Sequence, residues 1–248
     1  MIEIREIKKS FNKLEAVKGL SLTIEKGEIL GLLGPNGAGK STTISIISTL
    51  LPPTSGDVLY EGKSILKDPR NFRAILGVVP QEIALYPDLT GYENLKFFGK
   101  VYGLKGKNLE ERIEKVLEIV GLNGRAKEMV KNYSGGMKRR LNIGCSLLHN
   151  PKIFIMDEPT VGIDPQSRNH ILETVKALRE EGMTIIYTSH YMEEVEYLCD
   201  RIYIMDHGEI MAAGTKDELK GRIAKEEGIE NPTLEDVFLK LTGRTLRD

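Results

Sequence analysis

The stretch Gly34-Pro35-Asn36-Gly37-Ala38-Gly39-Lys40-Ser41-Thr42 decides how the rest of the chain is read. It fits the pattern G-x-x-x-x-G-K-S of a phosphate-binding loop. Glycines let such a loop fold tightly enough for several backbone N–H groups to face one anion. A helix starting just after it adds its positive N-terminal end. In that reading Lys40 contacts the outer phosphates and the Ser41 hydroxyl binds magnesium. The bland alternative is a glycine-rich turn with a chance lysine. The flanks argue against it. Ile29 to Leu33 is a nearly continuous apolar run, as a buried parallel strand requires. Thr43 to Leu51 predicts a helix, stopped by Pro52-Pro53.

A second element lies far along the chain. Ile153-Phe154-Ile155-Met156 reads as a strand that ends in Asp157-Glu158. There Asp157 would hold magnesium through water, and Glu158 would orient and deprotonate an attacking water. Two acids at a strand end can equally be solvated surface groups, and only the loop above tips the reading. Thr184 to Thr188 is a further strand. The helix between them carries Ile171, Leu172, Val175 and Leu178 on one side and closes at Gly182. Strand–helix–strand order predicts an α/β fold with a parallel sheet.

Other segments fill in around this core. Leu20, Leu22 and Ile24 alternate with polar residues before a turn at Glu25-Lys26-Gly27, which predicts N-terminal strands. Residues 85–145 read as helical, with Leu109, Ile113, Val116, Leu117 and Val120 on one face and Gly121 as a stop. Asp206-His207-Gly208 predicts a hairpin between two short strands. Thr233 to Asp236 forms a capping pattern ahead of an amphipathic helix.

The chain has 248 residues, 40% of them hydrophobic, enough for one core with a small appended subdomain. Its net charge of -1 disfavours general nucleic-acid binding. Lys138-Arg139-Arg140 therefore reads as a solvated or structural helix face. No apolar run approaches the roughly 20 residues that cross a bilayer, and the N-terminus has no apolar signal region. The expectation is a cytosolic chain whose membrane role, if any, needs a partner. Cys145 and Cys199 have no metal-binding spacing and read as reduced core residues. His149, His170 and His207 read as surface residues.

Three further features narrow the class. Tyr133-Ser134-Gly135-Gly136-Met137 precedes a helical stretch. Glu158 is followed by Pro159-Thr160-Val161-Gly162-Ile163-Asp164-Pro165. A lone His190 stands just after the strand at 184–188. With the loop and the acidic strand, these resemble the signature, D-loop and switch histidine of ATP-binding-cassette ATPases, in the expected order. Gln81, in Val78-Val79-Pro80-Gln81, resembles the family's Q-loop glutamine. The match covers roughly residues 1–220, with a tail at 221–248.

The resemblance implies a P-loop NTPase core with an N-terminal antiparallel β subdomain and an inserted helical subdomain at about 85–145. It implies ATP and Mg2+ as ligands, Phe11 stacked on adenine, and Gly34 to Thr42 around the phosphates. It makes Glu158, His190, Lys40 and Gln81 the catalytic group, and Ser41, Gln81 and Asp157 the magnesium contacts. Phe11 could instead be a packed hairpin residue. Two cassettes would pack head to tail, so that Ser134, Gly135 and Gly136 serve the partner's ATP. Tyr133 and Met137 replace the usual Leu and Gln of the signature; the donor residues are intact. By resemblance, this variant and the tail look like cassettes of ABC-2 type drug and antibiotic exporters. That implies multi-span permease subunits as partners, a homodimer or paired cassette, no nucleic acid, and a peripheral place on the cytoplasmic face of the membrane. The competing readings are a soluble cassette acting on nucleic acid or ribosomes, and a nucleotide-binding regulator without turnover. The first usually carries a long coiled-coil insertion or two cassettes; intact Glu158 and His190 argue against the second.

Overall fold

The computed structural model describes residues 1–243. β1 (Ile2–Phe11) and β2 (Leu14–Ile24) form an antiparallel hairpin, and β3 (Ile29–Leu33) leaves it for a second sheet. After α1 (Lys40–Ile47), β4 (Ser55–Tyr60) and β5 (Lys63–Ser64) return to the first sheet, in the order β2-β1-β4-β5. The chain then passes α2 (Pro69–Arg73) to β6 (Leu76–Val79) and makes three helices in a row: α3 (Gly91–Val101), α4 (Gly106–Ile119) and α5 (Gly135–Leu147). Alternation follows, through β7 (Ile153–Asp157), α6 (Pro165–Glu180), β8 (Thr184–Ser189), α7 (Met192–Leu198) and β9 (Arg201–Asp206). β10 (Glu209–Gly214), α8 (Lys216–Glu227) and α9 (Leu234–Thr242) complete it. The second sheet has the order β10-β9-β3-β8-β7-β6, parallel except for β10.

The burial of this sheet explains its sequence. Leu30, Leu32, Ile153 and Ile155 face a core shared with α1 and the antiparallel sheet. Their neighbours Ile29, Leu33, Phe154 and Met156 face a second core built with α4, α5 and α6. Successive strand residues point to opposite faces, and both faces are covered. That is why these strands read as continuous apolar runs instead of alternating. The helical face expected on α4 is buried at Leu109, Ile113, Val116 and Leu117, in the second core. α3 starts in a capping box of Thr90 and Glu93.

Some expectations shift. α1 starts at Lys40, not Thr43, because Gly39 turns the loop at φ +101° and the next residue is already helical. It ends before Leu51, where Thr49 adopts φ +61° ahead of the prolines. The expected tail boundary at 220/221 falls inside α8, whose Leu219 and Ile223 join Leu234, Val237 and Phe238 of α9 in the second core. Residues 244–248 of that tail lie outside the described residues. His149 and His170 are half-buried, not surface groups. The His149 ring stacks on Tyr102 with centroids 4.1 Å apart, and its Nε2 lies 3.0 Å from the Leu76 carbonyl oxygen. Cys145 and Cys199 are unpaired and buried, and burial pushes both thiols up.

Candidate active site

Parallel strands bring their C-terminal ends to one edge of the sheet, where open α/β folds place ligands. β3 leads there into Gly34, β6 toward Gln81, β7 into Glu158 and β8 into His190. The register is tight: Leu33 lies beside Ser189, Asp157 beside Thr188, and Val79 beside Met156. Residues separated by up to 156 positions in sequence thus converge because strand pairing aligns them.

The loop at 34–39 is shaped by close backbone contact. A Cβ on Gly39 would lie 2.6 Å from the Ala16 carbonyl oxygen, at a φ that L side chains avoid. Gly39 also caps α1 without any side-chain acceptor, and the first turn has no acidic residue. The first N–H donors of α1 are therefore not taken by a capping side chain or a first-turn carboxylate, which leaves them able to bind an anion. Lys40 is buried, and its Nζ donates to the carbonyls of Gly34 at 2.7 Å and Pro35 at 3.2 Å. The same ammonium lies 3.5 Å from Glu158 Oε1. Burial pushes Lys40 below its ordinary range, and Glu158 and Asp157 act in the opposite direction.

The acidic pair is held by one threonine. Buried Thr188 donates its hydroxyl to Asp157 Oδ1 at 2.7 Å and accepts the Glu158 N–H at 2.8 Å. Glu158 adopts φ +47°, a left-handed conformation that costs a non-glycine residue about 1–3 kcal/mol. Gln81 Nε2 donates to Glu158 Oε2 at 3.4 Å, and His190 Nδ1 lies 3.5 Å from the same oxygen. One carboxylate thus meets Lys40 on one oxygen and Gln81 with His190 on the other.

Phe11, Leu14, Ala16, Pro35 through Thr42, Gln81 and Glu158 line a single cleft. Phe11 stands 43% exposed at the hairpin end, so its ring is available to that cleft. Ser134, Gly135 and Gly136 do not line it. Ser134 instead caps α5, accepting the Met137 N–H at 3.2 Å, and both Ser134 and Gly135 are exposed. Gly136 packs so closely on α6 that a Cβ would fall 2.0 Å from Ser167 Oγ. Among the described residues no group of three or more His, Cys, Asp or Glu could hold a metal. The hydroxyl of Ser41, the amide of Gln81 and the carboxylate of Asp157 are hard oxygen donors. Such a sparse set suits magnesium, which takes few protein ligands and shares the rest with water and phosphate.

Sequence reasoning missed what holds Gln81. Arg139, inside the basic run at 138–140, is buried and donates to the carbonyls of Pro80, at 2.8 Å, and of Gln81. Asn142 Oδ1 accepts the Ala84 N–H at 3.3 Å, and Ser146 Oγ donates to the Val78 carbonyl at 2.7 Å. The polar residues 139, 142 and 146 recur at helical spacing on α5, and that pattern was the available signal. The helix that Ser134 caps therefore also fixes the backbone of Gln81.

A sequence profile described as "ABC transporter" matches residues 17–161. The linearmycin resistance ATP-binding protein LnrL of Bacillus subtilis is 58% identical over 230 residues, covering 93% of this chain and 74% of that protein. The Nod factor export ATP-binding protein I of Cupriavidus metallidurans is 39% identical over 250 residues, covering 99% of this chain and 82% of that protein. Among solved structures, a dimeric ATP-binding cassette in a post-hydrolysis state, bound to ADP and Pi, matches with a TM-score of 0.79. It is 27% identical and covers 87% of this chain and 98% of its own.

Proposed function

The chain belongs to the ABC transporter family, and on that premise we propose that it binds and hydrolyses ATP to drive export of a substrate through multi-span membrane subunits. Its relatives are named for antibiotic resistance and for export, which supports the exporter reading. No helix among the described residues is long and apolar enough to cross a membrane. The span would come from partner subunits, with this chain peripheral on the cytoplasmic face.

The observation that carries the reading is the position of Glu158, between Lys40 on one side and Gln81 and His190 on the other. Lys40 would exchange its carbonyl contacts for phosphate oxygens, joined by the N–H donors of the loop and α1. Phe11 would stack on the base. Magnesium, held by Ser41, Gln81 and Asp157, would neutralise charge on the phosphate oxygens. Glu158 would take a proton from the attacking water, with Gln81 and His190 orienting water and γ-phosphate. The products would be ADP and phosphate.

Ser134 and Gly135 are exposed and stand outside their own chain's cleft, which supports a paired arrangement in which they complete a partner's site. Nothing supports the nucleic-acid alternative. The net charge is -1, and the helical insertion packs on its own core without a long coiled coil. The test is phosphate release from ATP by the purified chain, with and without magnesium. A folded chain that binds ATP but releases no phosphate under either condition, alone or with its membrane partner, would overturn the hydrolase reading.

A further inference from the structure

Glu194 on α7 has no solvent exposure, yet it is ionisable and lines no part of the ATP cleft. A buried acid needs strong partners. Three hydroxyls donate to its Oε2: Thr160 at 2.8 Å, Tyr187 at 2.8 Å and Ser189 at 2.9 Å. Arg168 Nε of α6 lies 2.7 Å from Oε1. Burial, and then Glu194 itself, push the Tyr187 phenol well above its ordinary range, so that hydroxyl stays a donor.

The partners bracket the candidate catalytic residues. Thr160 lies two residues after Glu158. Ser189 precedes His190, and its Oγ also accepts the Tyr191 N–H at 2.9 Å, so one hydroxyl spans His190. Arg168 places its guanidinium carbon 4.9 Å from the Tyr191 ring centroid. One carboxylate therefore joins the loop after β7, the end of β8 and the first turns of α6.

We propose that Glu194 is a positioning residue that holds the Glu158 loop and the His190 loop in a single geometry, so that the two act on the same phosphate. The inference rests on the function proposed above. A misplacement of about 1 Å at reacting groups costs on the order of 100-fold in rate. Glu194 supplies the rigidity that keeps His190 Nδ1 close to Glu158 Oε2.

Two variants of the full chain test it. Glu194→Gln removes the negative charge, which weakens its bonds to all three hydroxyls, and turns an NH2 toward Arg168. Thr160→Val is isosteric and severs only the arm to the Glu158 loop, leaving the carboxylate paired. The expected result is a kcat about 10- to 100-fold lower for Glu194→Gln and a smaller loss for Thr160→Val. KM for ATP should stay within about twofold. Amide hydrogen exchange, measured without nucleotide, should accelerate in Glu194→Gln at both 158–164 and 188–191, with 29–47 unchanged. Unaltered kcat in both variants, or acceleration confined to α7 or spread evenly over the chain, would overturn the proposal. If the unmodified chain shows no turnover, alone or with its membrane partner, the hydrolase reading fails, and hydrogen exchange alone still decides whether Glu194 couples the two loops.

Discussion

Lys40 Nζ lies 3.5 Å from Glu158 Oε1, so the cation and the carboxylate of the candidate site share one buried position. Any phosphate that reaches Lys40 competes with Glu158 and with the carbonyls of Gly34 and Pro35. Lys40→Ala should therefore weaken ATP binding by about 2–5 kcal/mol, the loss typical when a buried charge loses its partner. Titration calorimetry checks it. Near-normal affinity would count heavily against the loop as a phosphate site.

Glu158→Gln keeps the size of the side chain and its contacts near Gln81 and His190, but an amide cannot accept the proton of the attacking water. Turnover should fall by roughly 10²- to 10⁴-fold while ATP binding persists. Light scattering should then find an ATP-dependent dimer, since the bound nucleotide is no longer consumed. Turnover at the unmodified rate would remove Glu158 from the role of base.

Phe11→Ala should cost about 1–3 kcal/mol of ATP affinity if the ring stacks on the base. Phe11→Tyr should retain it, because stacking needs only a π-face. The ring also has Lys9 Nζ 5.2 Å from its centroid, a contact that a surface packing role would explain equally well. Fluorescent-nucleotide titration separates the two roles, and unchanged affinity in Phe11→Ala favours packing.

Much of this was legible in the sequence, and the reasons are physical. Ile29 to Leu33 and Ile153 to Met156 are buried on both faces, so their apolar runs stood out. The spacing of Leu109, Ile113 and Val116 announced α4. The glycine loop and the Asp157-Glu158 pair carry their chemistry in adjacent residues. What could not be read depends on contacts across long stretches of chain. The hold of Arg139 on Gln81 spans 58 positions. The ties of Glu194 to Thr160 span 34. Both residues look like ordinary surface charges in a one-dimensional pattern. The start of α1 was misplaced because it depends on one left-handed glycine, which periodicity does not report.

The half-buried histidines set an acid limit on stability. Burial pushes both His149 and His170 below the ordinary imidazole value of 6.5. The unfolded chain therefore binds these protons more readily than the folded one. Their contribution is complete above pH 6.5 and is lost as pH falls from there through the lowered folded values. Thermal melting should move to lower temperature over that range, and His149→Gln should flatten the decline. A melting temperature unchanged between pH 7 and pH 5, in both proteins, would contradict this account.

The exposed Ser134 and Gly135 predict a site shared between two chains. If they act across a dimer, damage to them should appear in the partner's ATP site. A Lys40→Ala chain holds ATP far more weakly but keeps its Ser134. A Ser134→Arg chain holds ATP but crowds its partner's γ-phosphate, and since Ser134 is exposed, the loss of the cap costs the fold only about 1 kcal/mol. Each homodimer should be nearly inactive. Mixing them leaves one complete site, with Lys40 from one chain and Ser134 from the other, and activity should partly return if one site can fire alone. Crosslinking avoids that condition. Asn36 stands exposed on the loop, and the native thiols Cys145 and Cys199 are buried, so introduced cysteines would react without background. Asn36→Cys in one Glu158→Gln chain should crosslink to Ser134→Cys in another when ATP is present, and neither chain should crosslink to itself. An ATP-bound dimer without that crosslink, or an active enzyme that remains monomeric, would mean that Ser134 does not face a partner's nucleotide and that the head-to-tail arrangement is wrong.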